Sequence, residues 1–118
     1  MQDRPVIKTA IPMRRYQIGD FGVSLLGDIE SGDTRNYLYI LAFVQTGQAQ
    51  PALYICAQKN PGAGPGDGRC QLRVINEVMS EVVDTGEKWA DLDSFAEQGL
   101  ALGVQALGLR QEPILRLM

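Results

Sequence analysis

The predicted C-terminal helix, over residues 94–109, is apolar around most of its circumference, and this limits the possible folds more than any other feature of the sequence. At about 100° per residue, its polar residues cover roughly 100° of arc and leave about 220° apolar. A helix that lies on one sheet of its own domain needs an apolar stripe nearer about 100° wide. We therefore expect a second surface to cover the remainder. In a short chain, a second copy of the same protein is the simplest candidate, so we predict a homodimer.

The predicted dimer seam on this helix is a stripe of small residues between two bulky flanks. Small side chains let two backbones approach closely. A glycine inside a helix costs about 0.5–1 kcal/mol relative to alanine, so two glycines indicate a packing reason. The competing interpretation is that the stripe lets the helix lie close to its own sheet. The predicted interface residues are Ala96, Gly99, Leu100, Gly103, Val104, Ala106 and Leu107.

Length and composition predict a single globular domain over residues 1–118. The apolar content of 45% and the charged content of 21% are ordinary for a folded chain. The longest apolar run, residues 37–44, is far shorter than the roughly 20 residues that span a membrane. Residues 1–10 contain no apolar stretch of the secretory type. We therefore predict a cytoplasmic protein with no membrane partner.

The periodicity of the first two thirds of the chain predicts an α+β fold, in which an antiparallel sheet of about four strands carries the helix on one face. Residues 1–13 contain two prolines and no clean alternation, which predicts an extended N-terminal arm. The sheet is expected over residues 15–83, as a meander of strands at 15–29, 36–44, 51–58 and 71–83. The last of these also fits helical spacing. Its valines and isoleucine favour a strand, and a three-strand sheet with an extra helix is the alternative.

The two central strands are predicted to form a hairpin with one aliphatic and one aromatic face. If Gly47 and Gln48 are a two-residue loop, Ile40 lies opposite Ile55 on the aliphatic face, which suits packing of the helix. The other face then carries four aromatic rings, at Tyr37, Tyr39, Phe43 and Tyr54.

The residue types present argue against an enzyme. The chain has no histidine, which removes the usual general base and the commonest metal ligand. Cys56 and Cys70 are predicted to be reduced and packed, with a disulfide as the alternative. The glycine-rich segment 60–68 matches neither the nucleotide-binding loop nor the dinucleotide pattern, so it is interpreted as a connector. A phosphate- or nucleotide-binding enzyme at this loop is the alternative. We predict no catalytic activity, no cofactor and no metal.

The predicted order of four antiparallel strands and one dimerising C-terminal helix resembles the fold of Whirly-type and transcriptional-coactivator single-strand DNA-binding proteins. The resemblance covers residues 15–109 and rests on topology, with no sequence motif. It implies that nucleic acid binds on the sheet while the helices meet in the dimer. Stacking on aromatic rings beside basic residues is the chemistry such binding needs. The counterparts in role are Arg14, Arg15, Arg35, Tyr37, Tyr39, Phe43 and Tyr54.

The sequence therefore predicts a small dimeric domain that acts as a binding or interaction module. A regulator that binds single-stranded nucleic acid through the aromatic sheet face is the alternative. The chain also resembles small bacterial proteins of unknown function, which implies no mechanism.

Overall fold

The computed structural model describes all of residues 1–118 and is built around one antiparallel sheet of seven strands. The prediction of an α+β fold with about four strands is therefore wrong, and the fold is mostly β. A short 3-10 helix, Lys88–Ala90, and one α-helix, α1 (Leu92–Leu107), follow the first six strands. The strands are β1 (Ile7–Ile18), β2 (Phe21–Ser31), β3 (Tyr37–Gln45), β4 (Leu53–Lys59), β5 (Cys70–Ile75), β6 (Ser80–Gly86) and β7 (Ile114–Arg116).

The strand order across the sheet is β6-β5-β4-β3-β2-β1-β7. Each of the first six strands pairs with its neighbour in the chain, which makes them a meander. After α1, the chain returns to the far edge, where β7 pairs with β1. The four-strand topology that underlies the resemblance to Whirly-type proteins is thus not the one observed.

Two segments that the sequence predicts as single strands are hairpins. Within residues 15–29 the chain turns at Gly19, whose φ is 54°, so that Ile18 lies opposite Phe21. Residues 71–83 contain a turn in which Asn76 Oδ1 accepts hydrogen bonds from the backbone N–H groups of residues 78 and 79, each at 2.9 Å. The choice of strand over helix is right for this segment, but it forms parts of two strands. The extended N-terminal arm covers residues 1–6 instead of 1–13, because β1 begins at Ile7.

The helix prediction is confirmed to within two residues at each end. Asp91 is the N-cap residue, since its carboxylate accepts a hydrogen bond of 2.9 Å from the backbone N–H of Ser94. Ser94 therefore lies inside the first turn and does not begin the helix. The helix ends at Gly108, which takes a left-handed φ of 70°. No helix in the chain has the length and apolar composition to cross a membrane.

Helix α1 packs on β3 and β4 and covers one side of the sheet, called here the helix face; the other side is the open face. Leu41 lies opposite Ile55 and Phe43 opposite Leu53, one residue away from the predicted pairing. The reason is that the β3–β4 loop spans residues 46–52, not two residues. A one-residue slip turns a strand over. Leu41 and Phe43 therefore face α1, and the predicted division into an aliphatic and an aromatic face is wrong.

The small-residue stripe of α1 lies against the sheet of its own chain. A Cβ atom added to Gly99 would lie 2.5 Å from Leu41 Cδ1, and one added to Gly103 would lie within 2.9 Å of three ring atoms of Phe43. This close approach supports the competing interpretation, in which the stripe lets the helix lie close to its own sheet. The homodimer stays a prediction. Of the other seam residues, Ala96 and Leu100 are buried, Val104 and Leu107 are half-buried against the same core, and Ala106 is exposed.

The open face has no helix over it, yet its centre is buried. The buried side chains there include Ile40, Tyr54 and Cys56, which belong to a second apolar cluster. Residues 1–6, called here the N-terminal segment, lie against this cluster. Met1 packs on it and Pro5 is buried. This segment, which has no regular secondary structure, thus covers part of the open face.

Candidate functional site

A polar cleft of about 460 Å³ lies at the end of the open face where β4 ends and β5 begins. Three of its lining residues are cations and none is acidic, although the whole chain carries a net charge of −3. We call it the basic cleft. Its lining residues are Thr34, Arg35, Asn36, Gln58, Lys59, Asn60, Pro61, Gln71 and Arg73.

A chain of side-chain amides forms one wall of the basic cleft. Gln58 on β4 lies opposite Gln71 on β5, and its Nε2 donates to Gln71 Oε1 at 3.0 Å. Gln71 Nε2 donates to Asn60 Oδ1 at 3.2 Å, and Asn60 Nδ2 donates to the carbonyl oxygen of Gly68 at 2.9 Å. These bonds fix the orientation of each amide and leave Gln58 Oε1 as an acceptor for an arginine.

Arg73 is held in place without an acidic partner. Its Nε donates to Gln58 Oε1 at 3.2 Å, and its Nη1 donates to Ser80 Oγ at 3.0 Å. The four ion pairs of the chain leave out both Arg73 and Lys59. Arg73 Nη2 makes no hydrogen bond to the chain. The cleft therefore presents an ordered guanidinium whose charge no carboxylate of the chain pairs with directly.

Arg35 brings a second guanidinium from the turn before β3. Its Nη2 donates to Asp3 Oδ2 at 2.5 Å, and its Nη1 lies 3.5 Å from the hydroxyl of Tyr37. Burial lowers the pKa of Arg35, but the hydrogen bonds to Asp3 and Tyr37 outweigh it and raise that pKa above its ordinary value. The same contact with Arg35, and one with Ser80, lower the pKa of Asp3. Both groups are thus charged near neutral pH.

The four rings predicted as a stacking surface are divided between the two faces. Phe43 is fully buried beneath α1, and Tyr39 stacks on Phe95 with ring centroids 5.7 Å apart. Tyr37 and Tyr54 belong to the buried cluster of the open face. None of the four presents a free ring face comparable to a base-stacking platform.

The basic residues predicted with those rings are also separated. Arg14 forms an ion pair with Asp93 near the start of α1. Arg15 is exposed on β1, and Arg35 alone lines the basic cleft. The structure therefore brings Arg35 and Tyr37 together and leaves the other predicted nucleic-acid residues apart.

The predicted connector at residues 60–68 contributes Asn60 and Pro61 to the cleft. Inside the loop, Asp67 Oδ2 accepts a hydrogen bond of 3.0 Å from the backbone N–H of Gly64. A carboxylate of the loop thus already takes an N–H group that a phosphate cradle would need.

Neither cysteine offers a nucleophile at the cleft. Both are free and buried, as predicted, with Cys56 on the open face and Cys70 on the helix face. Burial raises the pKa of the Cys56 thiol far above its ordinary value, so the thiolate is not formed near neutral pH. No three cysteine or acidic side chains come close enough together to hold a metal ion.

The amino-acid sequence points to Arg35 but not to Gln58, Gln71 or Arg73. A signal for them exists: polar side chains interrupt two apolar strands, and Gln71 and Arg73 share one parity. With the correct register, Gln58 falls opposite Gln71 and the three belong to one surface. No known protein family, curated protein or solved structure gives a significant match to this chain, so its function has to be inferred from its own geometry.

Proposed function

We propose that this chain is a cytoplasmic binding module, without catalytic activity, that holds a small phosphate- or carboxylate-bearing anion in the basic cleft. The observation that carries the proposal is Arg73, which Gln58 and Ser80 hold in place although no acid pairs with it. A planar guanidinium binds carboxylate and phosphate oxygens through paired hydrogen bonds. A partly enclosed cation without a partner is costly to desolvate, and an incoming anion offsets that cost.

The shape and charge of the site support a small ligand over a nucleic-acid strand. The cleft is about 460 Å³ in volume, which suits a compact anion. A polyanionic strand needs a basic track and free aromatic faces, whereas this chain is acidic overall and buries every aromatic ring except the half-buried Tyr39.

The groups around the cleft support binding over catalysis. They are amides, arginines and one lysine, and the chain has no histidine to move a proton near neutral pH. The nearby Cys56 thiol is fully buried. Ordered guanidinium and amide donors can orient an anion without transforming it.

Titration calorimetry at low ionic strength tests the proposal, with pyrophosphate as the phosphate probe and citrate as the carboxylate probe. At least one of them is expected to bind. Arg73→Gln is expected to weaken that binding about tenfold or more, because hydrogen bonds to charged groups contribute about 1.5–3 kcal/mol. Added salt is expected to weaken it as well, through screening.

Arg15→Gln is the matched control, since it removes the same charge from an exposed position outside the cleft. It is expected to bind the probe as the unmodified chain does. Equal losses in the two variants would mean that net charge, not the cleft, attracts the anion. Absence of heat with both probes would reject the proposed function.

A further inference from the structure

A carboxylate of the chain itself already lies beside the two arginines of the basic cleft. Asp3 Oδ2 accepts hydrogen bonds from Arg35 Nη2 at 2.5 Å and from the hydroxyl of Ser80. The same Ser80 hydroxyl accepts a hydrogen bond of 3.0 Å from Arg73 Nη1. The Asp3 carboxylate therefore touches one guanidinium directly and the other through a single hydroxyl.

This carboxylate is carried by a segment whose first five residues make no backbone–backbone hydrogen bond. The N-terminal segment belongs to no helix or strand. Its backbone is fixed at Val6, whose N–H donates to Asp33 Oδ2 at 3.0 Å and whose carbonyl accepts from Gly32 N–H at 2.7 Å. Before Val6, side-chain contacts hold it, including the bond from Arg4 to Gln50. The Met1 ammonium also pairs with Glu77 Oε2 at 3.0 Å. Asp3 is thus one of three side-chain or terminal polar anchors of the segment, and the one that contacts the basic cleft.

We propose that the N-terminal segment competes with the ligand for the basic cleft, and that a bound anion displaces Asp3 and lifts the segment from the open face. This inference rests on the proposed anion site. Asp3 accepts from Arg35 Nη2, so a ligand oxygen that approaches this nitrogen competes with Asp3 for it. The Asp3 charge also opposes an incoming anion. By linkage, whatever frees the segment strengthens anion binding, and anion binding frees the segment.

The two cysteines provide a built-in readout of this displacement. Cys56 is fully buried in the open-face cluster, close enough to Arg35, Arg73 and Asp3 for their charges to act on its thiol. Cys70 is 3% exposed in the core on the helix face. Lifting the segment removes Met1 from the cluster that contains Cys56 and leaves the helix face covered. Alkylation of Cys56, with Cys70 as internal reference, therefore measures the position of the segment.

The test compares the unmodified chain with Asp3→Asn, using pyrophosphate titration and N-ethylmaleimide labelling followed by peptide mapping. Asp3→Asn is expected to bind pyrophosphate at least about fivefold more tightly, the lower end of ordinary coupling. Cys56 is expected to react at least about fivefold faster in Asp3→Asn. In the unmodified chain, pyrophosphate is expected to speed labelling of Cys56 but not of Cys70. Glu97→Gln is the matched control, because it removes one acid from the exposed side of α1.

Each of the other outcomes overturns either the displacement of the segment or the anion site itself. If Asp3→Asn binds pyrophosphate equally or more weakly, Asp3 supports Arg35 and does not compete, and the inference fails while the anion site stands. Tighter binding with no change in Cys56 labelling in either protein means that a charge was removed without displacement, which also overturns it. If neither protein binds pyrophosphate or citrate, the proposed function itself fails. Labelling of the unmodified chain needs no variant, so it tests the displacement even if Asp3→Asn misfolds.

Discussion

Replacing Gly103 by alanine is expected to lower the free energy of unfolding by about 1–3 kcal/mol, and leucine to lower it further. In an ordinary helix, replacing glycine by alanine raises the free energy of unfolding by about 0.5–1 kcal/mol. A decrease for Gly103→Ala would therefore by itself indicate a steric conflict. The cause is steric. A Cβ at this position would lie within 2.9 Å of three ring atoms of Phe43, whose side chain is fully buried in a close-packed core and can shift only at a cost.

Urea unfolding followed by the fluorescence of Trp89, the single tryptophan and a buried one, measures this effect. Ala101→Leu is the control, since it adds bulk at an exposed position of α1 and is expected to change stability by less than about 0.5 kcal/mol. On a Phe43→Leu background, Gly103→Ala is expected to lower the free energy of unfolding by less than it does in the unmodified chain, because the smaller side chain makes room for the Cβ. A Gly103→Ala variant more stable than the unmodified chain would contradict the close seating of α1 on β3.

The same variants separate the two interpretations of the small-residue stripe. A dimer seam predicts that Gly103→Leu yields a folded monomer, whereas seating on the chain's own sheet predicts general unfolding. Light scattering of the unmodified chain then tests the homodimer by itself. A mass near 12.9 kDa at micromolar concentration would reject it.

Local signals predict the helix well, because each depends on a few adjacent residues. The apolar periodicity predicts α1 to within two residues at each end. The strand count fails where a turn carries a weak signal. Gly19-Asp20 and residues 76–79 each divide a run that alternates like one strand, and only the pairing of the two halves distinguishes a hairpin from a long strand.

The prediction of an aliphatic and an aromatic face is wrong because the β3–β4 register differs by one residue from the predicted one. No local sequence signal determines that register. The β3–β4 loop is longer than the two residues assumed, so Leu41 and Phe43 point toward α1 and Ile40 points away. That error separates the aromatic residues from their predicted role. A second register, that of β4 with β5, conceals the basic cleft, because Gln58, Gln71 and Arg73 become neighbours only in the correct alignment of these two strands.

Replacing Phe95 by alanine is expected to lower the free energy of unfolding by about 3–5 kcal/mol. Phe95 is fully buried in the first half of α1, and its ring stacks on Tyr39 with centroids 5.7 Å apart and planes 23° apart. Truncation removes that ring from the interface of α1 with the sheet and leaves a cavity there. A domain of this kind has about 5–15 kcal/mol of stability in total, so the variant would be close to unfolding at room temperature.

A double-mutant cycle separates the stacking from the cavity. Tyr39→Ala and Phe95→Ala, alone and combined, are expected to show a coupling of about 0.5–1.5 kcal/mol in urea unfolding. Tyr39→Phe is the control, since it keeps the ring and removes a hydroxyl that makes no hydrogen bond within the chain, and it is expected to be neutral. A coupling near zero would mean that the two rings do not stack in solution. If Tyr39→Ala instead abolished binding of a labelled oligonucleotide without loss of stability, Tyr39 would be a nucleic-acid contact. Its ring would then not be the one on which Phe95 of α1 packs.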